Sequence, residues 1–119
     1  MRPSTESHYP RHGEVWLVDF NPGRGSEQKG VRPALIVQND VGNQYAATTI
    51  VAAITTTIKP YPVTVVIRAR TCGLPHESMV NMAQVLTIDK ARLIKKLGEI
   101  SPEQLEAADR ALRVSLDLT

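Results

Sequence analysis

The chain has 119 residues, 42% of them hydrophobic and 22% charged, with a formal net charge of +2. That length fits one domain with its own core, and that balance excludes wholesale disorder. One cysteine, Cys72, excludes an intrachain disulfide, no His/Cys cluster has zinc spacing, and no run reaches the roughly 18 apolar residues of a membrane span.

Residues 1–12 (MRPSTESHYPRH) contain Pro3 and Pro10 and no apolar signal-peptide region, so they read as a disordered lead-in. A single domain is expected over residues 13–119. Glu14 to Phe20 (EVWLVDF) is branched and aromatic, a strand by composition. Asn21-Pro22-Gly23 ends it, and a polar loop runs to Arg32. Pro33 to Gln38 (PALIVQ) is an apolar run of strand length, with Pro33 expected at its start or on an edge because it lacks an N–H. Residues 39–47 read as a turn-prone connection. Thr48 to Thr55 (TTIVAAIT) is a strand apolar enough to be buried on both faces. Lys59-Pro60-Tyr61-Pro62 is a rigid break. In Val63 to Ala69, Val63, Val65 and Ile67 alternate onto one face.

Gly73 and Pro75 mark the next loop, and Ser78 to Leu86 (SMVNMAQVL) is a fifth strand whose methionines fill the core. Asp89 to Leu93 predicts one helical turn, and residues 94–100 an edge strand guarded by two lysines. Ser101-Pro102-Glu103-Gln104 is a capping-box pattern with proline at the first helical position. Leu105, Ala108, Leu112 and Leu116 follow at helical spacing and should pack on a sheet. The fold class is mainly β with a C-terminal helix (α+β). Short strands with proline- and glycine-rich turns point to a small barrel rather than βαβ units.

The usual catalytic sets are missing: no G-x-S-x-G elbow, P-loop, dinucleotide fingerprint or H-E-x-x-H. His8 and His12 fall in the predicted tail, and His76 lies in a loop as a weak acid–base candidate. Residues 1–72 carry 8 Lys/Arg against 5 Asp/Glu, and residues 73–119 carry 6 against 7, so a polyanion is expected to touch the first half. The loop from Gly23 to Arg32 concentrates that charge in Arg24, Lys29 and Arg32, with glycines that allow close backbone approach and with Ser26 and Gln28 as polar readers. Such a loop can clamp phosphates or be a solvated hairpin. Arg32 stands out because Pro33 biases it to an extended backbone, and a rigidly placed guanidinium suits bidentate phosphate binding.

The stretch GEVWLVDFNPGRGSEQKGVRPALIVQND (13–40) resembles the opening of the MazF/PemK family of toxin endoribonucleases. The resemblance continues through IVAAIT (50–55), ESMV (77–80), QVLTIDKARL (84–93) and the terminal helix. It implies a small SH3-like barrel that forms a homodimer, and the single cysteine suits a reducing cytoplasm. The implied activity is metal- and cofactor-independent cleavage of single-stranded RNA at short specific sequences, held in check by a cognate MazE-like antitoxin that covers the RNA site. Carried over residue by residue, the catalytic arginine is Arg32 and the catalytic threonine Thr55. Arg24, Ser26, Glu27 and Gln28 would line the RNA groove, with Glu27 alternatively bracing the loop, and Gln84 would read a base. The sequence departs from many relatives at Leu86, where Arg or Lys is common, at Ala83, where an acidic residue is common, and at Glu77, which replaces Asp. The first two flank Gln84, so a relative's target sequence does not transfer. The rival reading is a CcdB-like gyrase poison of the same fold, and a nuclease-dead binding module is a second.

Overall fold

A computed structural model of the chain describes residues 9–20, 30–59 and 61–118. Six strands, β1 (Glu14–Asp19), β2 (Val31–Ile36), β3 (Thr48–Thr55), β4 (Thr64–Ile67), β5 (Ser78–Asp89) and β6 (Leu93–Glu99), form one antiparallel sheet in the order β4-β5-β3-β2-β1-β6. Among the described residues two α-helices accompany it, α1 (Asp40–Tyr45) and α2 (Pro102–Leu116), and one 3-10 turn, Lys90–Arg92, joins β5 to β6 where the sequence predicts a helical turn. The result is a small, open, barrel-like sheet with the long helix against one face, the mainly β architecture expected from the sequence.

Each face of the sheet carries an apolar cluster, as strands with alternating side chains require. On one face Val15, Leu35, Ala52, Ile54, Ile67, Val80 and Met82 meet Ala108 and Ala111 of α2. On the other, Val18, Ala34, Ile36 and Val51 are buried with Phe20, and Trp16, Leu86, Ile88 and Leu93 pack beside them half-buried. Full burial of one such branched side chain contributes about 1.5–3 kcal/mol. The helix starts as its sequence dictates: the Ser101 hydroxyl accepts from the Gln104 N–H at 3.1 Å, and Gln104 Oε1 accepts from the Ser101 N–H at 3.2 Å. The expected leucine stripe is shifted. Leu105 and Leu112 touch the core and Ala108 is buried, but Leu116 is exposed and Ala111 takes the inner position.

Four further elements differ from expectation. Residues 40–45 form a short helix rather than a turn. Asn39 caps it through its side chain, at 2.7 Å from the Gly42 N–H, and Asn43 is fully buried beneath it. The Asn43 amide accepts from Thr49 Oγ1 at 2.6 Å and Gln38 Nε2 at 3.1 Å and donates to the Gln38 carbonyl at 2.9 Å. Strand β2 begins at Val31, so Pro33 lies inside a central strand. The β2–β3 pairing covers only Ala34 to Ile36, so the missing N–H falls where those two strands part. Strand β5 extends to Asp89, beyond the predicted Leu86, because Thr48 to Ile50 pair with it. Residues 9–12 of the predicted lead-in are packed: Pro10 is buried, and His12 bonds the Val37 carbonyl through Nδ1 (3.1 Å) and Asp109 through Nε2 (2.9 Å). Residues 1–8 lie outside the described residues.

Candidate nucleic-acid cleavage site

Arg32 pairs with Val18 of β1 in the regular β1–β2 ladder, which fixes its backbone while the side chain stays exposed. On the other side of β2, Ala34 is opposite Ala53 of β3. Arg32 lies two residues before Ala34 and Thr55 two residues after Ala53, so each keeps the face of the residue it alternates with. Directly opposed residues share a face of the sheet, so both point away from α2. Thr55 pairs in turn with Met79 of β5, and Ala53 with Asn81.

These positions open into a cleft of about 320 Å³ lined by Arg32, Ile54, Thr55, Thr57, Lys59, Tyr61, Met79, Asn81 and Gln84. Arg32 and Lys59 give the described lining two positive charges, and it contains no carboxylate and no histidine. The Thr55 hydroxyl accepts from the Thr57 N–H at 3.1 Å, so its own proton can be donated into the cleft. Here an arginine, a hydroxyl donor and a lysine converge on one open, polar space, an arrangement suited to holding a phosphate.

Gln84 reaches the cleft because of an irregularity. Between Ala52 and Ala53 the β3–β5 register jumps from Val85 to Asn81. That step inserts an odd number of extra residues into β5, and an odd insertion flips which face the following side chains occupy. Gln84 therefore shares the cleft with Asn81, and Leu86 turns inward against the second apolar cluster. Leu86 serves packing there, while Ala83 is exposed on the bulge.

Arg32, Thr55 and Gln84 are thus brought together as the sequence suggested. Arg24, Ser26, Glu27 and Gln28 lie outside the described residues. His76 is exposed in the loop before β5 and does not line this cleft, and His12 is engaged at the sheet–helix junction. Sequence reasoning missed Thr57, Lys59, Tyr61 and Asn81. The available signals were a tyrosine set between prolines and one asparagine interrupting the apolar run of β5.

A family model described as PemK-like, MazF-like toxin of type II toxin–antitoxin system matches residues 11–116. The chain belongs to this family. This toxin is 43% identical over 110 residues to Endoribonuclease EndoA of Bacillus subtilis (strain 168), covering 91% of this chain and 95% of that protein. Among solved structures it resembles a mycobacterial endoribonuclease in complex with its cognate antitoxin, at 28% identity with a TM-score of 0.78, covering 92% of this chain and 97% of that one. It also resembles MazF from Deinococcus radiodurans, at 25% identity with a TM-score of 0.77, covering 92% and 98%.

Proposed function

We propose that this toxin is an endoribonuclease that cleaves single-stranded RNA, with Arg32 and Thr55 acting on one phosphate. The observation that carries the reading is the convergence of Arg32, Thr55 and Lys59 on a cleft whose described lining bears no negative charge. In the reaction the ribose 2′-OH attacks the adjacent phosphorus, the P–O5′ bond breaks, and the products are a 2′,3′-cyclic phosphate and a 5′-OH end. The substrate supplies its own nucleophile, so no protein nucleophile is needed. The Arg32 guanidinium stabilises the negative charge that grows on the non-bridging oxygens. Thr55 is a poor acid and a poor base; its hydroxyl donates to the phosphate and orients it. Gln84 presents an amide to a neighbouring base, and the loop residues Arg24, Ser26, Glu27 and Gln28 extend the groove for the strand.

The EndoA relationship and the antitoxin-bound mycobacterial neighbour support the same assignment, including a cognate antitoxin as partner; on this reading the antitoxin covers the RNA site and the working form is a homodimer. With single-stranded RNA as its substrate, the proposed site of action is the cytoplasm. The gyrase-poison reading is not favoured, because EndoA and the mycobacterial neighbour are endoribonucleases. The test is digestion of a long defined single-stranded RNA in the presence of EDTA, with both ends mapped. Discrete cuts bearing 2′,3′-cyclic phosphate and 5′-OH ends are expected from the wild type and the same cuts about 10²–10³-fold more slowly from Arg32→Ala; intact RNA with wild-type protein would overturn the proposal.

A further inference from the structure

We propose that Tyr61 is a base-stacking platform that, with the Asn81 amide beside it, forms a nucleotide-reading subsite next to the cleavage site. This rests on the RNA-cleft reading above and adds a position to it. Tyr61 is 47% exposed and belongs to neither apolar cluster, so its ring is not a core residue. Its backbone is nonetheless held. The Tyr61 N–H donates to Thr64 Oγ1 at 2.9 Å, and the Tyr61 carbonyl accepts from Thr64 Oγ1 at 2.7 Å and from the Thr64 N–H at 2.9 Å. Pro62 follows and further restricts its backbone. Two residues earlier, the Lys59 N–H contacts Met79 Sδ at 3.4 Å, which ties the same segment to β5. A large aromatic face on a fixed backbone loses little entropy on binding.

The second half of the subsite is Asn81. Its Oδ1 accepts from the Ala83 N–H at 2.9 Å, a donor that fixes the amide's orientation, and from the Tyr61 hydroxyl at 3.4 Å. Asn81 therefore offers donors, not acceptors, to the cleft, which suits a base edge carrying carbonyl or ring-nitrogen acceptors. The cleft thus combines an aromatic face, an oriented amide, and the charges of Arg32 and Lys59. A ligand that satisfies all three has a flat π-system joined to an anion, which describes a nucleotide better than an acidic peptide. Base stacking on an aromatic side chain is tolerant of base identity, so Tyr61 supplies affinity and Asn81 supplies the preference.

The experiment compares the full chain as wild type, Tyr61→Leu and Tyr61→Trp. The first probe is a 12-nucleotide single-stranded DNA pool of randomised sequence, which lacks the 2′-OH and cannot be cleaved, read by fluorescence anisotropy. Tyr61→Leu should bind about tenfold or more weakly, and Tyr61→Trp within about threefold of wild type. Affinity for poly-L-glutamate, an anion without bases, should be the same for wild type and Tyr61→Leu. Wild-type oligonucleotide affinity in Tyr61→Leu, no measurable oligonucleotide binding by the wild type, or an equal loss toward poly-L-glutamate overturns the platform. On RNA, Tyr61→Leu should raise KM about tenfold with kcat changed less than threefold, and Asn81→Ala should relax the preference at one mapped position. Failure of the nuclease reading shows instead as intact RNA with wild-type protein, an outcome the DNA-binding arm does not depend on.

Discussion

If Arg32 and Thr55 act on one phosphate, their contributions to the rate must couple. Arg32 is exposed and Thr55 half-buried at the end of β3, so substitution at either should change folding stability little and be felt mainly in the transition state. Removing a charged donor of this kind costs about 10²–10³ in rate, or about 2.7–4 kcal/mol. Thr55→Val keeps the shape and removes one neutral donor, a net effect of about 0.5–1.5 kcal/mol, or roughly two- to twelvefold. The Thr57 N–H that loses its acceptor is exposed and turns to water. Because Thr55 orients the phosphate that Arg32 charges, the hydroxyl is worth little once the guanidinium is gone. The double variant should therefore fall within about a factor of two of Arg32→Ala alone, a coupling of about 0.5–1.5 kcal/mol. Arg32→Lys keeps the charge but not the planar fork and should recover only part of the loss. The assay is single-turnover cleavage of an RNA containing one mapped site. Strictly multiplicative losses, or a wild-type rate in either folded single variant, would refute the one-phosphate arrangement.

Three predictions concern stability, each read by urea denaturation. Asn43→Ala removes the acceptor of the fully buried Thr49 hydroxyl and should cost about 2–4 kcal/mol, with part of the loss restored by adding Thr49→Val. Gly73→Ala and Gly30→Ala both place an L-residue at positive φ (76° and 79°), which alone costs about 1–2 kcal/mol. A methyl at Gly73 would also overlap the Leu97 backbone, with its carbonyl carbon 2.7 Å away, whereas no atom of the described residues lies within 4 Å of one at Gly30; Gly73→Ala should therefore be the more damaging by about 1–3 kcal/mol. Ser101→Ala breaks the capping box of α2 and should cost about 1 kcal/mol.

The strands were legible because their branched apolar runs end at proline and glycine turns, and α2 because its capping box and helical stripe agree. Helix α1 was not legible for a physical reason. DVGNQY contains Gly42 and no apolar stripe, and its conformation depends on the buried Asn43 amide, whose partners lie outside the helix, Gln38 in the connection from β2 and Thr49 in β3. The inward turn of Ala111 in place of Leu116 likewise depends on where α2 leaves the sheet. At the site, the charge and backbone restriction of Arg32 were visible in the residues themselves. Thr55 was visible only through the family resemblance, since a threonine closing TTIVAAIT is also what strand propensity favours. Tyr61 and Asn81 were hidden because they meet through β4–β5 pairing, twenty residues apart, and no local pattern encodes that meeting.

The cleft lies where the sheet is least regular. On one side the β2–β3 pairing stops at Ala34, beside a proline that cannot extend it, and Arg32 and Thr55 line the cleft that opens there. On the other side the β5 bulge breaks the β3–β5 register and turns Gln84 toward the same face as Asn81. A regular ladder through both places would bring the strands together at Pro33 and put Gln84 on the helix side. On the proposed reading the two irregularities divide the work: the first holds the groups that would act on a phosphate common to every RNA, and the second holds the amides that would meet bases. Substitutions around the bulge can therefore change which sequence is cut without touching the cleavage pair. Ala83 and Leu86, the positions that depart from many relatives, both lie at that second irregularity, one exposed on the bulge and the other turned into the core.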